Sequence, residues 1–157
     1  MLFNQSVVIM DPGWKHPFPA LVAGPTCCWK SQFVRRLLES GEDMIEGASE
    51  NISWCYGIYQ PAYDEMQRTI PNINFVEGVP SDLESMINPS ITNLVVIDDM
   101  MHEPSNDPRI TSLFTKGSHH RNLSVSFILQ NIFHCGKELR DMSLKLSLLA
   151  TVQVSQR

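Results

Sequence analysis

Asn93-Leu94-Val95-Val96-Ile97-Asp98-Asp99 is the stretch that decides the fold. Leu94 to Ile97 carries no polar residue at alternate positions. A strand built from it needs cover on both faces, which is the pattern of a parallel sheet between two helical layers. The run stops at two carboxylates, so a strand there delivers them to its carboxyl edge. A strand end carrying solvated acids has the same appearance, and the pair takes its meaning from its surroundings.

Those surroundings alternate strand and helix. Phe18 to Ala23 is a short apolar run that stops at Gly24. Phe33, Val34, Leu37 and Leu38 have helical spacing within Lys30 to Ser40, and Gly41 ends that pattern. Ser53 to Tyr59 reads as a strand, Pro61 to Arg68 as a short helix with proline at its start, and Ile73 to Val76 as another strand. Asp82 to Ile87 suits one or two helical turns, Ile110 to Lys116 a helix, and Val125 to Leu129 a last apolar strand. His102 to Pro108 is polar with two prolines and reads as a surface loop. The expectation is an α/β fold in one domain spanning residues 1–157. Its sheet is mostly parallel, with helices on both faces.

Between the first strand and the first helix lies Gly24-Pro25-Thr26-Cys27-Cys28-Trp29-Lys30-Ser31. This nearly fits the phosphate-loop pattern G-x-x-x-x-G-K-S/T in the strand–loop–helix context the pattern requires. Backbone N–H groups of such a loop face phosphates at a helix N-terminus. Lys30 is expected to reach the β- and γ-phosphates of ATP, and Ser31 to hold Mg²⁺ through its hydroxyl. Trp29 stands where the pattern has its second glycine. A residue with a Cβ in left-handed geometry costs about 1–2 kcal/mol there, before any clash of the indole with nucleotide. An ordinary strand–turn–helix with a surface Lys30 is the alternative reading.

With that loop upstream, the acidic pair fits the Walker B pattern, on a strand expected beside the phosphate-loop strand. Asp98 is then a Mg²⁺ ligand, directly or through water, and Asp99 a general base for the attacking water. Gln130, at the end of the last apolar strand, is placed to orient that water.

The net charge is −5, so the chain as a whole is no basic nucleic-acid binder, though local phosphate contacts remain open. Four cysteines without a C-x-x-C spacing read as buried free thiols in a reducing compartment. The amino-terminal residues lack the basic start of a signal peptide, and no apolar run approaches a membrane span. An intracellular protein, cytoplasmic or nuclear, is expected.

Several segments together resemble a family. They are Trp14-Lys15-His16-Pro17-Phe18, Trp54-Cys55-Tyr56-Gly57, Tyr59-Gln60-Pro61 and Ile97-Asp98-Asp99-Met100-Met101. The most specific lies within Leu113 to Val125, namely Ser118-His119-His120-Arg121-Asn122, with Gln130-Asn131 following. From Trp14 to Leu144 the chain resembles the DNA-packaging ATPases of the FtsK–HerA superfamily, closest to those of Polinton/Maverick-type transposons and related viruses. The resemblance implies an α/β P-loop NTPase fold and a homo-oligomeric ring that hydrolyses ATP to drive double-stranded DNA, without sequence preference, into a capsid. It carries Lys30, Ser31, Asp98, Asp99 and Gln130 as site residues, and implies an arginine finger from a neighbouring subunit, for which Arg121 is the candidate.

Two departures accompany it. One is Trp29. The other begins after Leu144, where the family continues with an Asn- and Tyr-bearing strand and a Phe-Lys-Asn-Pro-Arg-Asp segment. Here Lys145 to Arg157 reads as an altered or truncated end, and loss of a closing strand would expose a sheet edge. The alternative function is therefore a catalytically impaired remnant acting as a nucleotide-binding or interaction module. A small P-loop kinase is a third reading. A kinase brings an arginine-bearing lid, and Arg109, Arg121 and Arg140 sit in no obvious lid.

Overall fold

The computed structural model describes residues 14–23, 30–47, 49–98, 100, 107–113, 122–129 and 149–151. Among these residues six strands form the main sheet: β2 (Pro19–Ala23), β4 (Asn51–Tyr56), β5 (Ile73–Glu77), β6 (Asn93–Asp98), β7 (Leu123–Leu129) and β8 (Leu149–Thr151). Their order across the sheet is β5-β4-β6-β7-β2-β8, and every pairing is parallel. A separate parallel pair joins β1 (Trp14–Lys15) to β3 (Ile45–Glu46).

The central strands are buried throughout, β6 over all six residues and β7 over all seven. Alternation along β6 divides the core in two. Leu94 and Val96 face one layer, with Ile52 and Trp54 of β4 and Ile128 of β7. Val95 and Ile97 face the other, with Cys55, Val125 and Phe127. Burial of each such aliphatic side chain contributes about 1.5–3 kcal/mol, which is why these runs read so plainly as strands.

Helices cover both layers. α1 (Lys30–Glu39) puts Val34, Leu37 and Leu38 on the first face, at the spacing of one helical stripe. α3 (Ala62–Thr69) adds Tyr63 and Met66 there, with Ile70 just beyond its end. Between α1 and β3 lies the short α2 (Gly41–Met44), where the sequence suggested only a stop at Gly41. The opposite face is covered by the 3-10 turn Leu83–Met86 and by α4 (Pro108–Ser112), through Leu83, Ile110 and Leu113. Asp107 caps α4 by accepting from Arg109 N–H at 2.8 Å, with Pro108 in the first turn. Asp107 and Pro108 thus begin a helix rather than end a loop.

Connections running from β2 towards β5 carry their helices on the first face. Those returning through β6 to β7 carry theirs on the second. A single crossover hand requires this pairing of direction with face.

Three expectations are corrected. β7 lies between β2 and β6, so the acidic strand does not adjoin the strand that precedes residues 24–29. Strand β4 begins at Asn51 and stops at Tyr56, because Ile58 and Tyr59 belong to an exposed turn. The edge beside β2 is not exposed, because β8 pairs with it from within the segment that reads as an altered or truncated end.

Candidate functional site

The carboxyl ends of β2, β7 and β6 lie side by side. Ala23 is level with Leu129, and Ile128 with Asp98. β2 leaves this edge through α1 towards β4, whereas the chain after β7 goes the other way, to β8. Two neighbouring strands whose exits diverge make a topological switch point, the place where open α/β sheets leave a crevice for ligands.

Asp98 is the last residue of β6 and only 2% exposed. Two residues beyond Val96, it shares the face covered by α1 and α3. Ser31, in the first turn of α1, donates its hydroxyl between the two carboxylate oxygens, at 3.1 Å from Oδ1 and 3.2 Å from Oδ2. Residues 67 apart in the chain are thereby joined. Tyr63 of α3 donates its phenolic hydroxyl to Oδ2 at 2.9 Å. Burial first, and then the charge and hydrogen bond of Asp98, push the Tyr63 phenol well above the ordinary tyrosine range. It therefore remains a donor throughout the physiological range. Trp54 Nε1 has no partner in full hydrogen-bond geometry, yet lies close enough to the phenol to oppose part of that shift.

Lys30 is 5% exposed and continues the Val34–Leu37–Leu38 stripe by one turn. This removes the reading of Lys30 as an ordinary surface lysine. A charged side chain at the buried start of an apolar stripe is costly unless it serves a partner. Arg35, one turn on, reaches Glu65 on α3 at 3.0 Å and Glu39 at 2.8 Å, tying together the helices that carry Ser31 and Tyr63.

Ser31 and Asp98 offer hard oxygen donors within reach of one another. That suits Mg²⁺, which keeps several waters and takes one or two carboxylates together with phosphate oxygens. Among the described residues no three His, Cys, Asp or Glu side chains gather into a metal cage, and this mode of holding Mg²⁺ needs none.

Of the residues expected at the site, Lys30, Ser31 and Asp98 are brought to one sheet edge. Gly24, Pro25, Thr26, Cys27, Cys28, Trp29, Asp99, Arg121 and Gln130 lie outside the described residues, as do His119 and His120. Leu129, which Gln130 follows in the chain, ends β7 between the ends of β2 and β6. Tyr63 was not anticipated. It reads as one member of the Tyr63–Met66–Ile70 apolar stripe, although a buried tyrosine requires a partner for its hydroxyl. Cys55 is buried and free, as expected, and burial pushes its thiol up to about 11.

No helix among the described residues is long and apolar enough to cross a membrane. No protein-family model, curated protein or solved structure matches this chain.

Proposed function

We propose that this chain is the ATP-binding and hydrolysing domain of a P-loop motor that moves double-stranded DNA, as a homo-oligomeric ring, in the manner of the packaging ATPases it resembles. The observation that carries the nucleotide part is the Ser31–Asp98 contact. Two residues from separate motifs, each expected at Mg²⁺, meet at the switch point of a parallel sheet. The DNA-packaging part rests on the resemblance around Ser118 to Asn122.

On this reading residues 24–29 cradle the phosphates, Lys30 contacts the β- and γ-phosphates, and Ser31 and Asp98 hold Mg²⁺. The metal supplies neutralisation of charge across the transferring phosphoryl group. Asp99 takes the proton of the attacking water, Gln130 orients that water, and Arg121 reaches a neighbouring subunit's site. The capsid is the destination that the resemblance suggests for the DNA.

A titration with ATP and Mg²⁺ tests the nucleotide reading. Lys30→Ala is expected to weaken binding by about tenfold or more, a loss of roughly 1.4 kcal/mol. Equal affinity in wild type and variant overturns it.

A further inference from the structure

Tyr63 belongs to none of the motifs, yet its hydroxyl holds the carboxylate at the centre of the site. Its ring is 2% exposed and fixed on several sides. Phe75 stacks on it at 4.8 Å between centroids, Tyr56 lies at 5.2 Å, Trp54 at 5.9 Å, and Tyr59 meets it edge-on at 5.7 Å. Among the described residues the phenol so enclosed donates its proton to a single acceptor. That acceptor is Asp98 Oδ2.

We infer that Tyr63 is a positioning residue for the metal-side carboxylate, holding Asp98 Oδ2 so that the carboxylate plane is set before a Mg²⁺–nucleotide arrives. The inference rests on the proposed nucleotide site and adds to it a residue from a third element. Ser31 shares one proton between both oxygens and does not by itself fix the plane. Tyr63 binds one oxygen only, and from a ring that cannot swing. Were the Ser31 hydroxyl to turn to a cation, Tyr63 would still donate to Asp98 Oδ2. Partners of this kind behind a metal ligand commonly change metal affinity by about 10–100-fold.

A satisfied buried tyrosine with only a structural role predicts something different. Tyr63→Phe retains the ring and its contacts and removes only the hydroxyl. Binding of ADP is measured without divalent ions and across a Mg²⁺ titration, with Mn²⁺ as a spin probe of the same site, on wild type, Tyr63→Phe and Asp98→Ala. Tyr63→Phe is expected to raise the cation concentration at half-saturation by about tenfold, with metal-free ADP affinity unchanged. The Mn²⁺ signal should broaden as the site loses order. An unchanged cation requirement in Tyr63→Phe, where Asp98→Ala loses it, overturns the inference alone. Equal weakening with and without the cation also overturns it, because that is the structural outcome. If Asp98→Ala keeps the wild-type cation requirement, the proposed metal site falls and the role of Tyr63 falls with it. Thermal unfolding of each variant confirms that the compared proteins are folded.

Discussion

The two ends of the central strands use polar side chains in opposite ways. At the amino end, Asn93 is 1% exposed and its amide is saturated. Its Nδ2 donates to the carbonyls of Asn88 at 2.7 Å and Ile91 at 2.8 Å. Its Oδ1 accepts from Asn51 Nδ2 at 3.0 Å and from Asn88 N–H at 3.1 Å. Asn51 also donates to the Met86 carbonyl, and Asn122, at φ 49°, donates to that of Pro89. At the carboxyl end, Asp98 accepts from two hydroxyls on two helices. An amide carries donors and acceptors and can close a neutral network on itself. A carboxylate only accepts, and a hydroxyl can turn its proton elsewhere. The first arrangement holds strands together, and the second can exchange a partner for a cation.

Asp98→Asn breaks this contrast most sharply. It nearly preserves shape and burial, and an amide can still accept from Tyr63. Cation-dependent nucleotide binding is expected to vanish, while the unfolding midpoint moves little. Calorimetric titration with Mg²⁺-ATP beside thermal unfolding reads both. A large stability loss with binding intact would make the carboxyl end structural too.

Asn93→Ala is the mirror experiment. It leaves the amide of Asn51 with the Met86 carbonyl alone, and the backbone of Asn88 and Ile91 short of a partner, in a half-buried place. The cost is expected at about 2–4 kcal/mol of folding stability. Nucleotide affinity of the folded fraction should stay at the wild-type value. Denaturant unfolding gives the first quantity and a titration below the transition the second.

This contrast also explains what could be read from the sequence. Leu94 to Ile97, Val125 to Leu129 and the Val34–Leu37–Leu38 stripe are legible because burial imposes a period on them. The meeting of Ser31 with Asp98 is legible because each stands in a recognisable pattern, one at a helix start and the other at a strand end. Strand order is not legible. The placement of β7 between β2 and β6 depends on which crossovers fit together, and no local period records it. The asparagine network looks like ordinary loop composition, since Asn88, Asn93 and Asn122 flank turns. Tyr63 hides among core residues because its ring packs like one, and only the hydroxyl differs. β8 and the β1–β3 pair are two or three residues long, below the length at which a pattern declares itself.

A smaller effect is expected at the loop leading into the carboxyl-end site. On the proposed reading, in which position 29 takes the left-handed geometry of a phosphate-loop glycine, Trp29→Gly would remove a Cβ penalty of about 1–2 kcal/mol, roughly a factor of ten in binding. ATP affinity should rise by about that factor, and hydrolysis should appear or increase. A wild-type chain that binds and turns over ATP as well as the variant removes Trp29 as an impediment. A variant that still binds no nucleotide favours the remnant.

The smallest expected effect lies again at the amino end. His16 Nδ1 sits 2.6 Å from Ser124 Oγ, which also accepts from Phe18 N–H at 3.0 Å. Its Nε2 is buried with no partner in full hydrogen-bond geometry. Burial lowers the His16 pKa below the usual histidine value, opposed in part by the backbone of Asn122. The folded protein therefore holds this ring neutral at pH values where the unfolded chain has begun to protonate its own. Stability from this site is fully present above the unfolded value of about 6.5 and is lost as pH falls through it towards the lowered folded value. His16→Gln keeps a polar side chain without a titrating proton, so its stability should depend less on pH between about 7 and 5. Ratios of metal-free ADP affinity between wild type and His16→Gln should stay constant over that range, because the ring lies at the end of the strands away from Asp98. A wild-type protein whose unfolding midpoint falls no faster with acid than that of His16→Gln shows that the ring is hydrated in solution. A histidine-dependent change in ADP affinity would couple the two ends and end the separation between them.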